Sequence, residues 1–199
     1  MGAGGHAKVI ADAILASSHQ GIFGFFDDNE SLWKSEIFGF PVLGPIRGWQ
    51  NHSMDACVIG VGQNAARRRL YSQIESAGAK LATIIHPRAV VGRGATIGDG
   101  TVVFANVVVN ADTTIGPNCI LNTACSVDHD CSVGAHSHVA PGVVVAGDVR
   151  IGEEAFIGAG AKIIPQIRIG DRAVIGAGAV IIRDVAAATK VVGVPARPI

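Results

Sequence analysis

The chain has 199 residues, enough for one or two domains, and its 16 basic residues balance its 16 acidic residues. A formal net charge of zero gives no electrostatic reason to expect binding to nucleic acid or to an anionic membrane. No apolar run approaches the length of a membrane span and no secretory signal opens the chain, so we expect no membrane insertion and a cytoplasmic location.

Residues 1–83 alternate short apolar segments with helical patterns, which predicts a small α/β domain of the Rossmann-like type. The predicted elements, in chain order, are a helix over 6–18, a strand over 22–26, an extended segment over 38–45, a strand over 56–61, a helix over 65–77 and a strand over 81–85. Asn64 is predicted to cap the second helix, and Ala77-Gly78 to end it.

The chain opens with the glycine-rich turn Gly2-Ala3-Gly4-Gly5-His6-Ala7, which has the form G-x-G-x-x-A. In dinucleotide-binding folds such a turn holds phosphate at a helix N-terminus, and an acidic residue about twenty positions later binds the ribose. Asp27-Asp28 stands at that spacing. The turn should follow a strand, yet only Met1 precedes it, so we expect the first strand to be missing from this chain. The motif favours a nucleotide or phosphate site in general over NAD in particular.

Residues 84–199 carry a six-residue repeat. Every sixth residue from Ile85 to Ile181 is Ile, Leu or Val, and the next residue is most often Gly, Asn or Asp. Period six fits neither an α-helix nor a plain alternating strand, and it predicts short rungs joined by tight corners, as in a parallel β-solenoid. Cys119, Cys125 and Cys131 fall on an inward position of the repeat, so we interpret them as packed small side chains and not as disulfide or metal ligands.

Over residues 85–186 the repeat resembles that of the hexapeptide-repeat acyltransferases, whose left-handed parallel β-helix has three hexads per coil. The ending Val192-Gly193-Val194-Pro195-Ala196 resembles the closing segment of that family. The resemblance implies an all-β left-handed β-helix of between five and six coils. The handedness comes from the resemblance alone, because parallel crossovers are ordinarily right-handed.

The whole chain is similar to one branch of this family, the bacterial nucleotide-sugar N-acetyltransferases such as those that acetylate UDP-4-amino sugars in bacillosamine synthesis. The matching segments are Gly2-Ala3-Gly4-Gly5-His6, Phe26-Asp27-Asp28, Gly62-Gln63-Asn64 with Arg67, Leu121-Asn122-Thr123 and Asp128-His129-Asp130. The resemblance implies acetyl-CoA as co-substrate, a nucleotide-linked amino sugar as acceptor and no metal. It also implies a homotrimer whose acetyl-CoA cleft uses residues of two chains.

The same resemblance assigns roles to individual residues. It makes His129 the general base, with Asp130 beside it, and it makes His138 a contact of the acetyl-CoA thioester. The expected substrate-binding residues are Gly4, Gly5, His6, Asp27, Asp28, Asn64 and Arg67. The expected acetyl-CoA contacts are His138, Gly147, Ala159 and Ala177.

The spacing of the repeat gives His129 independent support. It is the third residue of its hexad and lies outside the inward positions, between two carboxylates that could orient an imidazole. Ala111 lies three hexads before it, and Gly147 lies three hexads after it. If each coil consists of three hexads, His129 stands between two very small side chains, with room for a thin pantetheine arm.

Several alternatives stay open. A metalloenzyme of the γ-carbonic-anhydrase kind would use His129, His136 and His138 as ligands, although their spacings of seven and two resemble that family poorly. A non-catalytic nucleotide-sugar-binding protein would bind the sugar without thioester turnover. A sugar O-acetyltransferase of the sialic acid type is a further alternative.

Overall fold

A computed structural model describes residues 1–17 and 21–199. The described part of the N-terminal domain contains, in chain order, α1 (Gly5–Ala16), β1 (Phe25–Phe26), a 3-10 turn (Glu30–Leu32), β2 (Glu36–Ile37), β3 (Phe40–Gly44), a second 3-10 turn (Ile46–Asn51) and α2 (Asn64–Ser76). β3 lies between β1 and β2, parallel to the first and antiparallel to the second. Residue 18, where the first helix was predicted to end, lies outside the described residues.

Met1 and Gly2 occupy the sheet position in which a first strand would run. The Met1 amino group donates to the Val58 carbonyl at 2.6 Å, and the Gly60 N–H donates to the Met1 carbonyl at 2.5 Å. On the other side, the Gly2 N–H donates to the Phe26 carbonyl at 2.7 Å. The segment over 56–61, predicted as a strand, pairs with Met1 through Val58 and Gly60. On its other side it makes a parallel bridge between Cys57 and Leu81.

From Ile84 onward the chain folds as a three-sided parallel β-helix. The first face contains β4 (Ile84–Ile85), β7 (Val102–Val103), β10 (Ile120–Leu121), β13 (His138–Val139), β16 (Phe156–Ile157) and β19 (Val174–Ile175). The second face contains β5 (Val90–Val91), β8 (Val108–Val109), β11 (Ser126–Val127), β14 (Val144–Val145), β17 (Lys162–Ile163) and β20 (Val180–Ile181). The third face contains β6 (Thr96–Ile97), β9 (Thr114–Ile115), β12 (Ser132–Val133), β15 (Arg150–Ile151) and β18 (Arg168–Ile169). β21 (Lys190–Gly193) extends the first face, and β22 (Ala196–Pro198) pairs with it in antiparallel orientation.

The predicted repeat residue is the second residue of each of these short strands, and it forms the core. From Val103 to Ile181 every one of them is buried, whereas Ile85, Val91 and Ile97 in the first coil are partly exposed. The stacked strands lie three hexads apart in the chain, as the pairing of Leu121 with Val139 shows. Each coil therefore buries the next along one axis, as expected for a solenoid.

The N-terminal domain covers the beginning of the first face. Ile10 and Ala13 of α1 pack against Ile84, Val102 and Ile120, which lie on the outer side of that face. The second face carries apolar residues with no such cover: Val90 is 59% exposed and Val144 is 44% exposed. Of the helices in the described residues, neither is long enough to cross a membrane.

Candidate active site

His129 lies at the corner that joins β11 of the second face to β12 of the third face. Its ring Nδ1 is 2.7 Å from Asp130 Oδ2, and its backbone N–H donates to Asp128 Oδ1 at 2.9 Å. Asn110, one coil earlier, donates to the same Asp128 oxygen at 2.8 Å. Asp130 is therefore the carboxylate that orients the ring, and Nε2 is the nitrogen left for proton transfer.

The carboxylates around His129 make it a stronger proton acceptor. The hydrogen bond to Asp130 raises the pKa of His129, and the negative charges of Asp128 and Asp148 raise it further. The pKa of Asp128 is lowered because the Asn110 amide and the His129 backbone N–H both stabilise its ionised form. This corner thus favours an imidazole that takes up a proton and holds it against a carboxylate.

Gly147 makes the space that the His129 ring occupies. A Cβ atom built on Gly147 would lie 2.7 Å from both Cε1 and Nε2 of His129, closer than non-bonded atoms approach. Gly147 stands directly over His129 in the next coil, where the Asp148 N–H donates to the His129 carbonyl at 3.0 Å. The spacing of three hexads predicted this neighbour, and the structure contains the contact.

Two further histidines, His6 and His138, lie where the N-terminal domain meets the first face. His6, in the first turn of α1, and His138, on the outer side of β13, have ring centroids 6.2 Å apart. Phe104 packs edge-on against His6 at 5.3 Å, and Phe156 packs edge-on against His138 at 5.3 Å. These contacts hold both imidazoles in a largely apolar junction.

Asn122 sets the tautomer of His138, a role that the sequence analysis did not assign. The Asn122 Oδ1 accepts the Thr123 N–H at 2.8 Å, so its amide NH₂ points the other way, toward His138 Nε2 at 3.1 Å. His138 Nε2 is then an acceptor, and the ring proton sits on Nδ1. In the sequence, Asn122 stands out only as part of a short segment that matches the family. Its contact with His138 joins residues that are 16 positions apart, on successive coils.

Both junction histidines are neutral at pH 7. Burial lowers the pKa of each to about 4, and the positive charge of Arg67 contributes to both shifts. His6 Nε2 and His138 Nδ1 are buried atoms that make no hydrogen bond of good geometry among the described residues, although the Gly62 carbonyl faces the His138 ring. Buried polar atoms are normally paired, so these two are the atoms through which a ligand could enter the junction.

The candidate catalytic and acetyl-CoA-binding residues fall in three places on one chain. His129 is at the corner between the second and third faces. His138 is on the first face, which lies opposite that corner, and His6 is on α1, which covers that face. Ala159 and Ala177 are exposed at the corner between the first and second faces. A single chain therefore does not bring His129 to the other two histidines.

The glycine-rich turn leads into α1 as predicted. Cβ atoms built on Gly4 and Gly5 would meet no atom within 4 Å, so the space beside this helix N-terminus is open. Asp27 is tied to the turn, because its Oδ2 accepts the Ala3 N–H at 2.6 Å. An open helix N-terminus of this kind offers unpaired N–H groups and a positive dipole end to an anionic group.

Asp28 borders a separate depression. Its Oδ1 accepts the Ile46 N–H at 2.9 Å, which holds the carboxylate at the edge of a cavity of about 1200 Å³. The cavity is also lined by Trp33, Trp49 and Arg69. Indole rings can stack on a nucleobase, and a guanidinium can bind phosphate.

Two of the predicted substrate-binding residues, Asn64 and Arg67, point into the protein instead. Asn64 is the first residue of α2 and does not cap it; the Gln63 side chain is the cap and accepts the Ala66 N–H at 2.8 Å. Arg67 is 1% exposed, and its guanidinium donates to carbonyl groups of both domains, including Gly62. These bonds use the donors that a substrate phosphate would need, so the expectation that Arg67 contacts phosphate does not hold in this structure.

The three histidines of the metalloenzyme alternative do not converge in one chain. His136 lies at the corner between the third and first faces, with Nδ1 2.8 Å from the Asn118 amide nitrogen, apart from both His129 and His138. Within residues 1–17 and 21–199, no cluster of three or more His, Cys, Asp or Glu side chains has the geometry of a metal site.

Family models match two parts of the chain. Residues 1–74 match the PglD N-terminal domain, and residues 148–183 match the bacterial transferase hexapeptide with six repeats. A curated relative, the UDP-N-acetylbacillosamine N-acetyltransferase of Bacillus subtilis, is 34% identical over 105 residues, which is 52% of this chain and 49% of that protein. The match thus spans about half the length of that curated relative.

Solved structures match over the whole chain. The acetyltransferase domain of PglB from Neisseria gonorrhoeae is 39% identical, with a TM-score of 0.94 over 100% of this chain and 97% of that one. The same domain in complex with acetyl coenzyme A is 40% identical, with a TM-score of 0.95 over 100% and 96% of the two chains. PerB from Caulobacter crescentus, in complex with CoA and GDP-perosamine, is 35% identical, with a TM-score of 0.93 over 100% and 94%.

Proposed function

Because this chain belongs to the hexapeptide-repeat family of bacterial nucleotide-sugar N-acetyltransferases, we propose that it transfers an acetyl group from acetyl-CoA to the amine of a nucleotide-linked amino sugar. The observation that carries the proposal is the similarity over the full chain to PglB and PerB domains that were solved with acetyl-CoA or with CoA and an amino-sugar nucleotide. A UDP-4-amino-4,6-dideoxy sugar is the proposed acceptor, since the curated relative acts in UDP-sugar acetylation.

The N-terminal domain is the proposed site of the nucleotide. Gly4 and Gly5 leave the N-terminus of α1 open for a phosphate group, and Asp27 keeps the turn in place. Asp28, at the rim of the neighbouring cavity, is available to accept N–H or O–H groups of the nucleoside. His6, at the junction, would then face the sugar.

His129 is the proposed general base. A sugar amine at neutral pH is mostly protonated, and it must lose a proton before it attacks the thioester and another before the thiolate departs. The first proton passes to solvent. His129 Nε2 accepts the second from the nitrogen and gives it to the departing sulfur, while Asp130 holds the opposite ring nitrogen at 2.7 Å. The backbone N–H of Gly147 is our candidate donor to the tetrahedral oxyanion, a role worth about 2.7–4 kcal/mol.

We further propose a homotrimer in which the site lies between neighbouring chains. The separation of His129 from His6 and His138 within one chain supports this, because a second copy could bring the corner of one chain to the junction of the next. The uncovered apolar second face, with Val90 and Val144, is the surface we assign to that contact. Ala159 and Ala177 would then line the acetyl-CoA cleft. The free, buried cysteines fit the reducing cytoplasm in which we place the reaction.

The direct test is thiol release from acetyl-CoA in the presence of UDP-, dTDP- and GDP-linked 4-amino sugars. We expect release with a 4-amino sugar nucleotide, fastest with the UDP-linked one, and none with the corresponding 4-hydroxy sugar. Release with the hydroxyl acceptor and not with the amine would replace N-acetylation by O-acetylation. A lack of turnover with every acceptor, despite binding of the nucleotide sugar, would favour a binding protein.

A further inference from the structure

The contacts of Arg67 point to a role at the domain junction that goes beyond substrate binding. Its side chain is almost fully buried in the first turn of α2, and a buried charge is costly unless every donor is satisfied. Here the partners are carbonyl oxygens. Within the N-terminal domain the guanidinium donates to the carbonyls of Val61 and Gly62 at 3.3 and 3.1 Å and to Asn64 Oδ1 at 2.9 Å.

The remaining donors cross to the β-helix. Arg67 Nε donates to the Asn118 carbonyl at 3.0 Å, and one terminal nitrogen donates to the carbonyls of His136 and Ser137 at 2.6 and 3.3 Å. Asn64 extends the same contact one coil further, since its amide donates to the Glu154 carbonyl at 2.9 Å. Asn64 and Arg67 together are called the domain clamp below.

The domain clamp binds the same kind of backbone carbonyl on three successive coils of the β-helix. Asn118, His136 and Glu154 are stacked one coil apart at the corner between the third and first faces, and all three have left-handed backbones, with φ of 53°, 61° and 55°. Each offers its carbonyl to the clamp. Because α2 meets three successive coils at equivalent points, the position of the N-terminal domain along the β-helix axis is defined by these bonds.

The clamp also reaches the paired histidines. Ser137, whose carbonyl Arg67 binds, directly precedes His138, and the Gly62 carbonyl faces the His138 ring. The charged or titratable groups that face His138 are Arg67 and His6, and those that face His6 are Arg67 and His138. The positive charge of Arg67 therefore lies where it disfavours a proton on either imidazole.

We propose that Arg67 is the positioning residue of this site: its guanidinium docks the nucleotide-binding domain on two coils of the β-helix, Asn64 extends the contact to a third, and together they hold His6 and His138 side by side. The inference rests on the proposed function for its catalytic meaning, since the site that it positions is the one assigned to the amino sugar. The docking of the two domains and the effect of Arg67 on the two histidines can be measured without an activity assay, by amide hydrogen exchange and by NMR titration.

Two substitutions separate geometry from charge. Arg67→Met removes both the fork of donors and the positive charge, so the NMR titration midpoints of His6 and His138, expected near pH 4 in the wild-type protein, should rise by at least half a pH unit. Arg67→Lys keeps the charge but loses the multiple carbonyl contacts, so the midpoints should stay near those of the wild type. Both variants should raise KM for the nucleotide sugar about tenfold, and KM for acetyl-CoA by a similar factor, because His138, which Arg67 also positions, is the assigned thioester contact.

Arg68→Met is the matched control, because Arg68 is the next residue of α2 and, among the described residues, its exposed side chain hydrogen-bonds to the Glu154 carboxylate alone. It should leave both titrations and both KM values unchanged. If Arg67→Met does not fold, two other variants still decide the question: Arg67→Lys, and Asn64→Ala, which removes the donations to the Glu154 and Ala155 carbonyls and the oxygen that accepts from Arg67. In both, amide hydrogen exchange should accelerate at Gly60 and Arg67, whose N–H groups are bonded to the Met1 and Gln63 carbonyls beside the clamp. Unchanged titrations in Arg67→Met, or unchanged exchange and KM in Arg67→Lys, would overturn the proposal. An inactive wild-type protein with the expected titrations and exchange would instead refute the proposed function alone.

Discussion

Two histidine environments in this molecule differ in almost every physical respect. His129 stands at an exposed corner among Asp128, Asp130 and Asp148, and these carboxylates raise its pKa. His6 and His138 lie in an apolar junction where burial and a nearby arginine lower their pKa values to about 4. The first environment favours the imidazolium, and the second excludes it.

The contrast separates the roles that the three residues can take. A base must change protonation state near the working pH, which His129 can do and the junction pair cannot. A neutral imidazole held by fixed neighbours can orient a ligand through a defined donor or acceptor, and its contribution does not vary around neutral pH. Opposite shifts of titratable groups are a common way in which one site divides its acid–base work.

Removing the base should have the largest effect. His129→Ala is expected to lower kcat by about 10²–10⁴-fold, the usual range for general-base assistance, while both KM values stay near those of the wild type. Steady-state kinetics at neutral pH checks this. A near-normal kcat would contradict the assignment of His129 as the base.

Displacing the base without removing it should have the next largest effect. The Cβ atom of Gly147→Ala would lie 2.7 Å from the His129 ring, which must therefore shift. Misplacement of about 1 Å can cost on the order of 10²-fold in kcat. Because the ring is exposed and can move, the melting temperature should change little. Gly48→Ala, at a position where a Cβ meets no atom within 4 Å, is the control and should leave kcat intact; equal kcat values for the two variants would contradict the assigned contact.

His129 and Gly147 show which part of the site the sequence predicts. The period of six and the coil of three hexads place Gly147 over His129, because regular stacking converts spacing directly into contact. At the junction between the domains, no regular spacing converts sequence separation into contact. Arg67 binds backbone carbonyls 51 to 70 residues away, and carbonyls carry no side-chain signature, so its place between the domains could not be found from the sequence.

The fold shows the same division. The rungs of the β-helix are where the repeat predicts them, because each inward residue is buried only by its neighbours one coil away. In the described part of the N-terminal domain the strands are short, and the segment that contains Cys57 pairs with Leu81 through a single bridge. Their pairing depends on Met1 and Gly2 lying between two other segments, which is a tertiary arrangement with no local pattern.

A change in the junction should have a smaller and more selective effect. His138→Phe keeps the ring but removes the buried Nδ1 and the contact of Nε2 with Asn122 at 3.1 Å. Loss of one or two hydrogen bonds of about 0.5–1.5 kcal/mol each should raise KM for acetyl-CoA roughly tenfold, with a smaller change in kcat. A fall in kcat as large as that of His129→Ala would show that the two environments do not divide the work in this way.

The smallest expected effect is at the nucleotide. Asp28→Ala should raise KM for the nucleotide sugar about three- to tenfold, the loss of a single hydrogen bond, and spare KM for acetyl-CoA. Asp12→Ala, which removes an exposed carboxylate from α1, serves as the control. Equal changes in both KM values would argue against the assignment of the two substrates to different domains.

The most direct test of the account compares the pH dependence of kcat with the NMR titration of the His129 ring. The base must be neutral, so kcat should rise with pH through a single inflection that lies above the ordinary histidine value of about 6.5 and coincides with the ring titration. Asp130→Asn replaces the carboxylate that raises the pKa of His129 by a neutral amide, so both curves should move together to lower pH. An inflection that stays in place while the ring titration moves would contradict the assignment of His129 as the general base.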